Sequence, residues 1–294
     1  MHDLTITDVR ALPGDSSFLI DDGKTAILYD TGFAFTGYRV AENIQKVLGN
    51  RQLDYIFLTH SHYDHALGSA YVAKVYPGAK IVAGEYAARI FGKPTARNAM
   101  REMDRKAALA QGIREYEDLI DALRVDIAVN DGDIISCGDL RFTVIALPGH
   151  TKCSVGFYLS EKGLLLGTET LGVYFGEDTY LPSYLVGYEM ALASIQRARQ
   201  LPIKGILLPH YGAVGKAEAE KYLEAGEKAA RETAHIILKR LQAGQSHEQI
   251  AAYLETVQYK ENVAPSYPLD AYRLNTKIMI GLIEKELLKE DTSC

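Results

Sequence analysis

The chain has 294 residues, 47% of them hydrophobic, with 38 acidic against 32 basic side chains and a formal net charge of −6. That length and apolar content suit one large α/β domain, or one domain with a smaller appendage. The acidic balance argues against non-specific nucleic-acid binding, which draws on a basic surface. No apolar run reaches the length of about 18 residues that a membrane-spanning helix needs. Met1-His2-Asp3-Leu4-Thr5 lacks the basic and apolar regions of a secretory leader, so a cytoplasmic protein is expected.

The first residues read as short strands at 4–6, 17–20 and 25–29, with a hairpin turn at Asp21-Asp22-Gly23-Lys24. Val40, Ile44 and Val47-Leu48 recur at helical spacing and predict a helix over 38–48. A strand at 55–58, a helix at 68–75 and a strand at 80–83 continue the alternation of βαβ units. Residues 86–124 are rich in Ala, Arg, Glu, Asp and Met and read as a helical insertion, over the mouth of a site or as a solvated outer pair. Strands return at 125–129, 134–136, 140–146, 155–159 and 163–166, followed by a helix at 188–200 and a strand at 203–208.

From Lys216 the pattern is helical only. A helix over 216–243 stops at Gly244, and Ser246 with Gln249 forms a capping-box signature for the next. A last helix spans 268–289. The expected division is a catalytic domain at 1–215 and a C-terminal helical cap or dimerisation region at 216–294.

Thr59-His60-Ser61-His62-Tyr63-Asp64-His65 follows the apolar run Tyr55-Ile56-Phe57-Leu58 and places three of the eight histidines and one aspartate within six residues. Imidazole and carboxylate are the donors that zinc and similar divalent ions accept. His60 and His62 project to one side of an extended segment, while Asp64 and His65 fall on the next turn. His2, His235 and His247 have no such neighbours and carry no expected role. Cys137, Cys153 and Cys294 are odd in number and form no CxxC pair, so neither a disulfide framework nor a thiolate zinc site is suggested. Cys153, though near His150, reads as a small buried residue.

His60-x-His62-x-Asp64-His65 resembles the signature of the metallo-β-lactamase superfamily of binuclear metallohydrolases. Further motifs follow in the family's order. Asp30-Thr31-Gly32 is similar to its first strand end, and Leu147-Pro148-Gly149-His150-Thr151 to its Pro-Gly-His-Thr element. Gly167-Thr168-Glu169-Thr170-Leu171 stands where Gly-Asp-Thr-Leu is usual, and Leu208-Pro209-His210-Tyr211-Gly212 where Pro-Gly-His-Gly is usual. The resemblance implies a four-layered αβ/βα sandwich, here with a C-terminal helical appendage. It also implies two divalent ions, zinc first, with iron or manganese also suited. His60, His62 and His150 would hold one ion and Asp64, His65 and His210 the other, with Glu169 bridging. A hydroxide shared by the ions would attack the substrate, Asp64 orienting it, and Asp30 would support the metal loop from behind.

Two positions depart from the pattern. Glu169 is one methylene longer than the usual Asp, so it must fold back, shift the ions or bind only one. His210 comes one place early, which a local loop shift would repair.

The order of core, 182–202 segment and helical cap resembles the quinolone-signal thioesterase and lactonase-like branch. That implies a small-molecule substrate with an ester-like bond: thioester, lactone or carboxylic ester. Phosphodiester hydrolysis, hydroxyacylglutathione-type cleavage and a metal-binding effector with vestigial catalysis are the alternatives. A flavodiiron protein is disfavoured because that pattern has Glu where this chain has His62. Tyr174, Tyr184 and Tyr188 are candidate substrate contacts, the last two read as sharing a helix face; the alternative is ordinary core packing. The C-terminal helices equally suit a homodimer surface.

Overall fold

Thr5–Asp8 (β1), Phe18–Asp21 (β2) and Ala26–Tyr29 (β3) form an antiparallel meander, and the expected turn between β2 and β3 is made with Gly23 at φ +85°. In this computed structural model, which describes residues 4–288, β3 is followed by Gly37–Leu48 (α1) and Tyr55–Leu58 (β4). Tyr63–Ala66 (α2), Ser69–Val75 (α3), Lys80–Gly84 (β5), Glu85–Phe91 (α4), Pro94–Ala110 (α5) and Ile127–Val129 (β6) come next. The six strands form one sheet in sequence order, parallel from β3 onward, with Tyr29 opposite Phe57 and Phe57 opposite Val82. His2 and Cys294 lie outside the described residues, as does position 289 of the last expected helix.

The described chain divides into two compact units: residues up to 146 together with 153–166, and residues 147–152 together with those from 167 on. The first unit also holds Ile134–Cys137 (β7), Leu140–Ala146 (β8), Val155–Leu159 (β9) and Leu164–Leu166 (β10), an antiparallel run. Alternation along β4 sets what each face buries. Phe57 meets Phe142 of β8 and Phe157 of β9 at ring distances of 5.2 and 4.4 Å, sheet against sheet. Ile56 and Leu58 share the other core with Val40, Ile44 and Leu48 of α1 and Val72 of α3. Each large side chain fully buried in these two layers contributes about 1.5–3 kcal/mol.

The 86–124 expectation is met only in part. α4 and α5 are helical, but from Gln111 the chain is irregular apart from a single turn at Ile120–Ala122. Gly112 takes φ +76° and ends α5. Arg97 then donates to the carbonyls of Asp121 and Leu123, and Arg101 pairs with Asp118 and Asp121, tying the segment back without a helix.

The second unit contains Val173–Tyr174 (β11) and Tyr180–Leu181 (β12), a short hairpin, then Tyr188–Arg199 (α6) and a hairpin of Gly205–Leu208 (β13) with Gly212–Gly215 (β14). Lys216–Gln242 (α7), His247–Gln258 (α8) and Leu269–Ile283 (α9) complete it, and α9 passes into a wider turn at Glu284–Leu288. The Ser246–Gln249 capping box is present, and Gly244 takes φ +75° after α7. Neither β11, β12 nor β14 was expected: two-residue strands and Gly-Ala-Val-Gly carry no β-branched alternation. No helix among the described residues is long and apolar enough to cross a membrane.

One buried carboxylate in the first unit yields a pH prediction. Asp15 accepts from the amides of Ala11 and Leu12 and the hydroxyl of Thr36, and burial pushes its pKa from 3.8 up to about 6. The folded state therefore binds a proton there before the unfolded state does, so this group adds stability as pH falls from about 6 toward 4. Asp15→Asn does not titrate. The stability difference between wild type and this variant should shift in favour of wild type by up to about 1.4 kcal/mol per pH unit over that window. Urea titrations at pH 7, 6 and 5 check it; a pH-independent difference refutes it.

Candidate metal centre

In the first unit the site is built at the carboxyl ends of the parallel strands β3 and β4. Asp30 follows β3 at φ +52°, its amide donating to the Phe57 carbonyl, so its carboxylate turns inward and is fully buried. It accepts from the Thr59 amide at 2.9 Å, the Ser16 hydroxyl at 3.1 Å and the Thr59 hydroxyl at about 3 Å, and lies 2.7 Å from His65 Nδ1. Gly32, at φ +67°, comes so close to Asp15 that a Cβ would meet its Oδ1 at 2.7 Å, hence the glycine of Asp30-Thr31-Gly32. Thr31 donates from both amide and hydroxyl to the His65 carbonyl at 2.8 Å, fastening the two strand-end loops together.

His62, in extended backbone, caps α2, its carbonyl accepting from the amides of His65 and Ala66. The ring centres of His60 and His62 are 4.6 Å apart, those of His60 and His65 4.1 Å, and Asp64 Oδ2 lies 3.8 Å from His65 Nε2. His60 Nδ1 is 2.9 Å from Thr59 Oγ1, whose proton is committed to Asp30. His60 therefore donates from Nδ1, as His65 does to Asp30, which leaves Nε2 of each as the basic nitrogen.

In the second unit Gly149 permits a close approach to α6: a Cβ there would meet Ala191 at 2.6 Å, and its φ is +138°. The Gly149 carbonyl accepts from Leu185 and Val186, and the His150 amide donates to Thr170 Oγ1. His150 Nδ1 contacts Ser183 through both the carbonyl at 3.1 Å and the hydroxyl at 2.7 Å, so this ring is also held from its Nδ1 side. Glu169 opens a single tight turn, Glu169–Leu171, and places Oε2 at 2.8 Å from His150 Nε2 and Oε1 at 3.4 Å from His210 Nε2. His210 stands in the three-residue loop between Leu208 and Gly212 at φ +62°, a region His enters more readily than bulkier residues. This left-handed turn brings the imidazole to Glu169 although the residue comes one place early in the motif.

α7 presses on the Glu169 turn. Gly226 approaches so closely that a Cβ would meet the Leu171 carbonyl at 2.2 Å, and the buried Tyr222 donates to the Gly172 carbonyl at 2.5 Å. Burial, followed by the Glu169 charge, raises the Tyr222 pKa.

The tyrosine expectations divide. Tyr184 precedes α6 rather than sharing its face with Tyr188, because the helix begins only at Tyr188, after Gly187 in extended backbone. Both are buried, 5.3 Å apart edge to face, as core. Tyr174 is half-buried, stacked on Tyr180 at 4.7 Å and tilted against Tyr211, the residue after His210, at 4.5 Å. The sequence assigns no role to Thr59, Ser16, Ser183, Tyr222 or Tyr211; only Thr59 and Tyr211, each beside a motif histidine, carry a signal there.

The donors able to hold a metal are thus His60, His62, Asp64 and His65 in one unit and His150, Glu169 and His210 in the other. Nitrogen and oxygen donors with no thiolate suit zinc, iron and manganese.

A family model described as the metallo-beta-lactamase superfamily matches residues 13–210. "Glyoxylase B2" of Dictyostelium discoideum is 28% identical over 134 residues, 45% of this chain and 41% of that protein, so the chain spans only two fifths of that relative. "Hydroxyacylglutathione hydrolase GloC" of Haemophilus influenzae is 27% identical over 222 residues, 74% of this chain and 94% of that one. In fold, a metallo-beta-lactamase family protein from Thermus thermophilus superposes with a TM-score of 0.64 at 18% identity, covering 99% of this chain and 94% of that one.

Proposed function

The chain belongs to the metallo-β-lactamase superfamily of metal-dependent hydrolases, and from that premise we propose that the bond it cleaves is ester-like: a thioester, a lactone or a carboxylic ester. The observation that carries metal-dependent chemistry is the held state of the imidazoles. Nδ1 of His60, His65 and His150 each meets a fixed oxygen, the arrangement that sets ligand histidines before a metal arrives.

By the motifs, His60, His62 and His150 would hold one ion and Asp64, His65 and His210 the other, with Glu169 available to both. The spread of the Glu169 oxygens toward His150 and His210 supports a carboxylate that serves two ions. Bound divalent ions in such a set polarise a carbonyl and lower the pKa of water toward about 7. Asp64, partly exposed on α2, would orient the attacking water. Asp30 keeps His65 in one tautomer throughout.

Among ester-like bonds, the hydroxyacylglutathione-type thioester is a second reading, favoured by the Haemophilus relative, which this chain matches over 94% of its length. Elemental analysis of protein purified without added metal tests the donor set: close to two ions per chain is expected, and close to one would remove the second site. Turnover of p-nitrophenyl esters, acyl thioesters and lactones, with bis-p-nitrophenyl phosphate as the contrast, tests the bond. Preference for the phosphodiester would overturn the ester reading. Glu169→Asp, which restores the family's usual residue, is expected to keep or raise kcat/KM; complete loss would mean that the longer carboxylate sets the geometry.

A further inference from the structure

Asp104 is a fully buried carboxylate on α5, a helix whose other faces are largely exposed, and the chemistry above does not use it. A buried carboxylate is costly unless its oxygens are engaged. Its Oδ1 accepts from the Ala34 amide at 2.8 Å and its Oδ2 from the Tyr116 hydroxyl at 2.5 Å, and the Phe35 amide also donates to it. Three bonds thus go to the loop after Asp30-Thr31-Gly32 and to the irregular segment after α5. Between those points lie four half-buried aromatic rings. Phe33 is 4.9 Å from Phe35 and 5.7 Å from Tyr63, and Phe35 is 6.2 Å from Tyr116, ring centre to ring centre. Tyr63 sits between His62 and Asp64, and the Asp64 charge is felt at Asp104. The rings therefore border the metal loop at the strand ends, where ligands of parallel α/β sheets bind.

We propose that Phe33, Phe35, Tyr63 and Tyr116 form the wall that takes the apolar acyl part of the substrate, an aryl or medium-chain alkyl group, and that Asp104 is the positioning residue holding that wall in place. This rests on the ester reading above. Aromatic faces offer area to an alkyl or aryl group at low entropy cost.

The test compares p-nitrophenyl octanoate with p-nitrophenyl acetate, and separately measures octanoate binding to the metal-loaded protein by calorimetry. Phe35→Ala is expected to lower the octanoate-to-acetate ratio of kcat/KM at least tenfold, through KM, and to weaken octanoate binding by a similar factor. Tyr116→Phe, which removes only the hydroxyl that Asp104 accepts, and Asp104→Asn should move the same ratio in the same direction. An unchanged ratio, or a parallel fall for both esters, overturns the proposal, as does failure of the wild type to bind octanoate. If the wild type hydrolyses neither ester, the ester reading fails, whereas octanoate binding that weakens in Phe35→Ala still upholds the wall.

Discussion

Asp30→Asn is expected to lose most of one metal equivalent per chain and to lower kcat/KM by about 10–100-fold, the usual cost of removing the partner of a ligand histidine. The substitution is nearly isosteric, and Asn is among the residues that best tolerate the positive φ of this position, so the backbone gives no reason for a loss. What changes is the hydrogen-bond inventory. The carboxylate faces only donors: the Thr59 amide and hydroxyl, the Ser16 hydroxyl and His65 Nδ1. An amide NH2 must oppose one of them, and if His65 Nδ1 gives way, its proton moves to Nε2, which then cannot accept a metal. Because the group is fully buried, a mismatch there should also cost about 1–3 kcal/mol of stability. Elemental analysis and urea unfolding of the variant decide the matter. Unchanged metal content and midpoint would show that the buried carboxylate neither orients His65 nor supports the loop.

His62→Ala separates ligation from folding. The carbonyl of His62 starts α2, and the imidazole does not cap the helix, so alanine keeps the backbone bonds to His65 and Ala66. Half-buried as it is, the ring leaves no large cavity behind. Stability is therefore expected to fall by less than about 1 kcal/mol, the range of surface changes away from special features. Metal content and hydrolysis should fall together, activity by two orders of magnitude or more if several kcal/mol of charge stabilisation is lost with the ion. Full metal retention alongside lost activity would sink the ligand assignment of His62, and unchanged activity would remove it from the site altogether.

The long apolar alternations were legible. β4, the β8 and β9 pair, α1 and α7 fall within a residue or two of where hydrophobic period places them, because burial of one face rewards one register only. The elements missed are those whose stability comes from neighbours distant in sequence. The β11–β12 hairpin has two-residue strands and is held by Asn262, which donates to the Phe175 and Gly176 carbonyls and to Thr179 Oγ1 across more than 80 positions of chain. The 113–124 segment was expected to be helical from its composition, yet its form is set by guanidinium groups of α5.

For the site, local spacing alone singled out the cluster His60, His62, Asp64 and His65, and the resemblance to the family's motifs added His150, Glu169, His210 and Asp30 as candidates, because a motif is local and needs no knowledge of the fold. Their orientation was decided only in three dimensions. The Ser16 hydroxyl reaches Asp30 from a different strand-end loop, Ser183 meets His150 from 33 residues away, and the close approach of Gly226 shapes the turn carrying Glu169. The wall around Asp104 belongs to the same class: Tyr116, Ala34 and Asp104 carry no common motif, and only burial of a carboxylate among distant donors joins them. Which residue types bind a metal is a property of side-chain chemistry, which a sequence states outright. Which nitrogen faces outward, and what surrounds it, depends on contacts between segments far apart in the chain, and those exist only after folding.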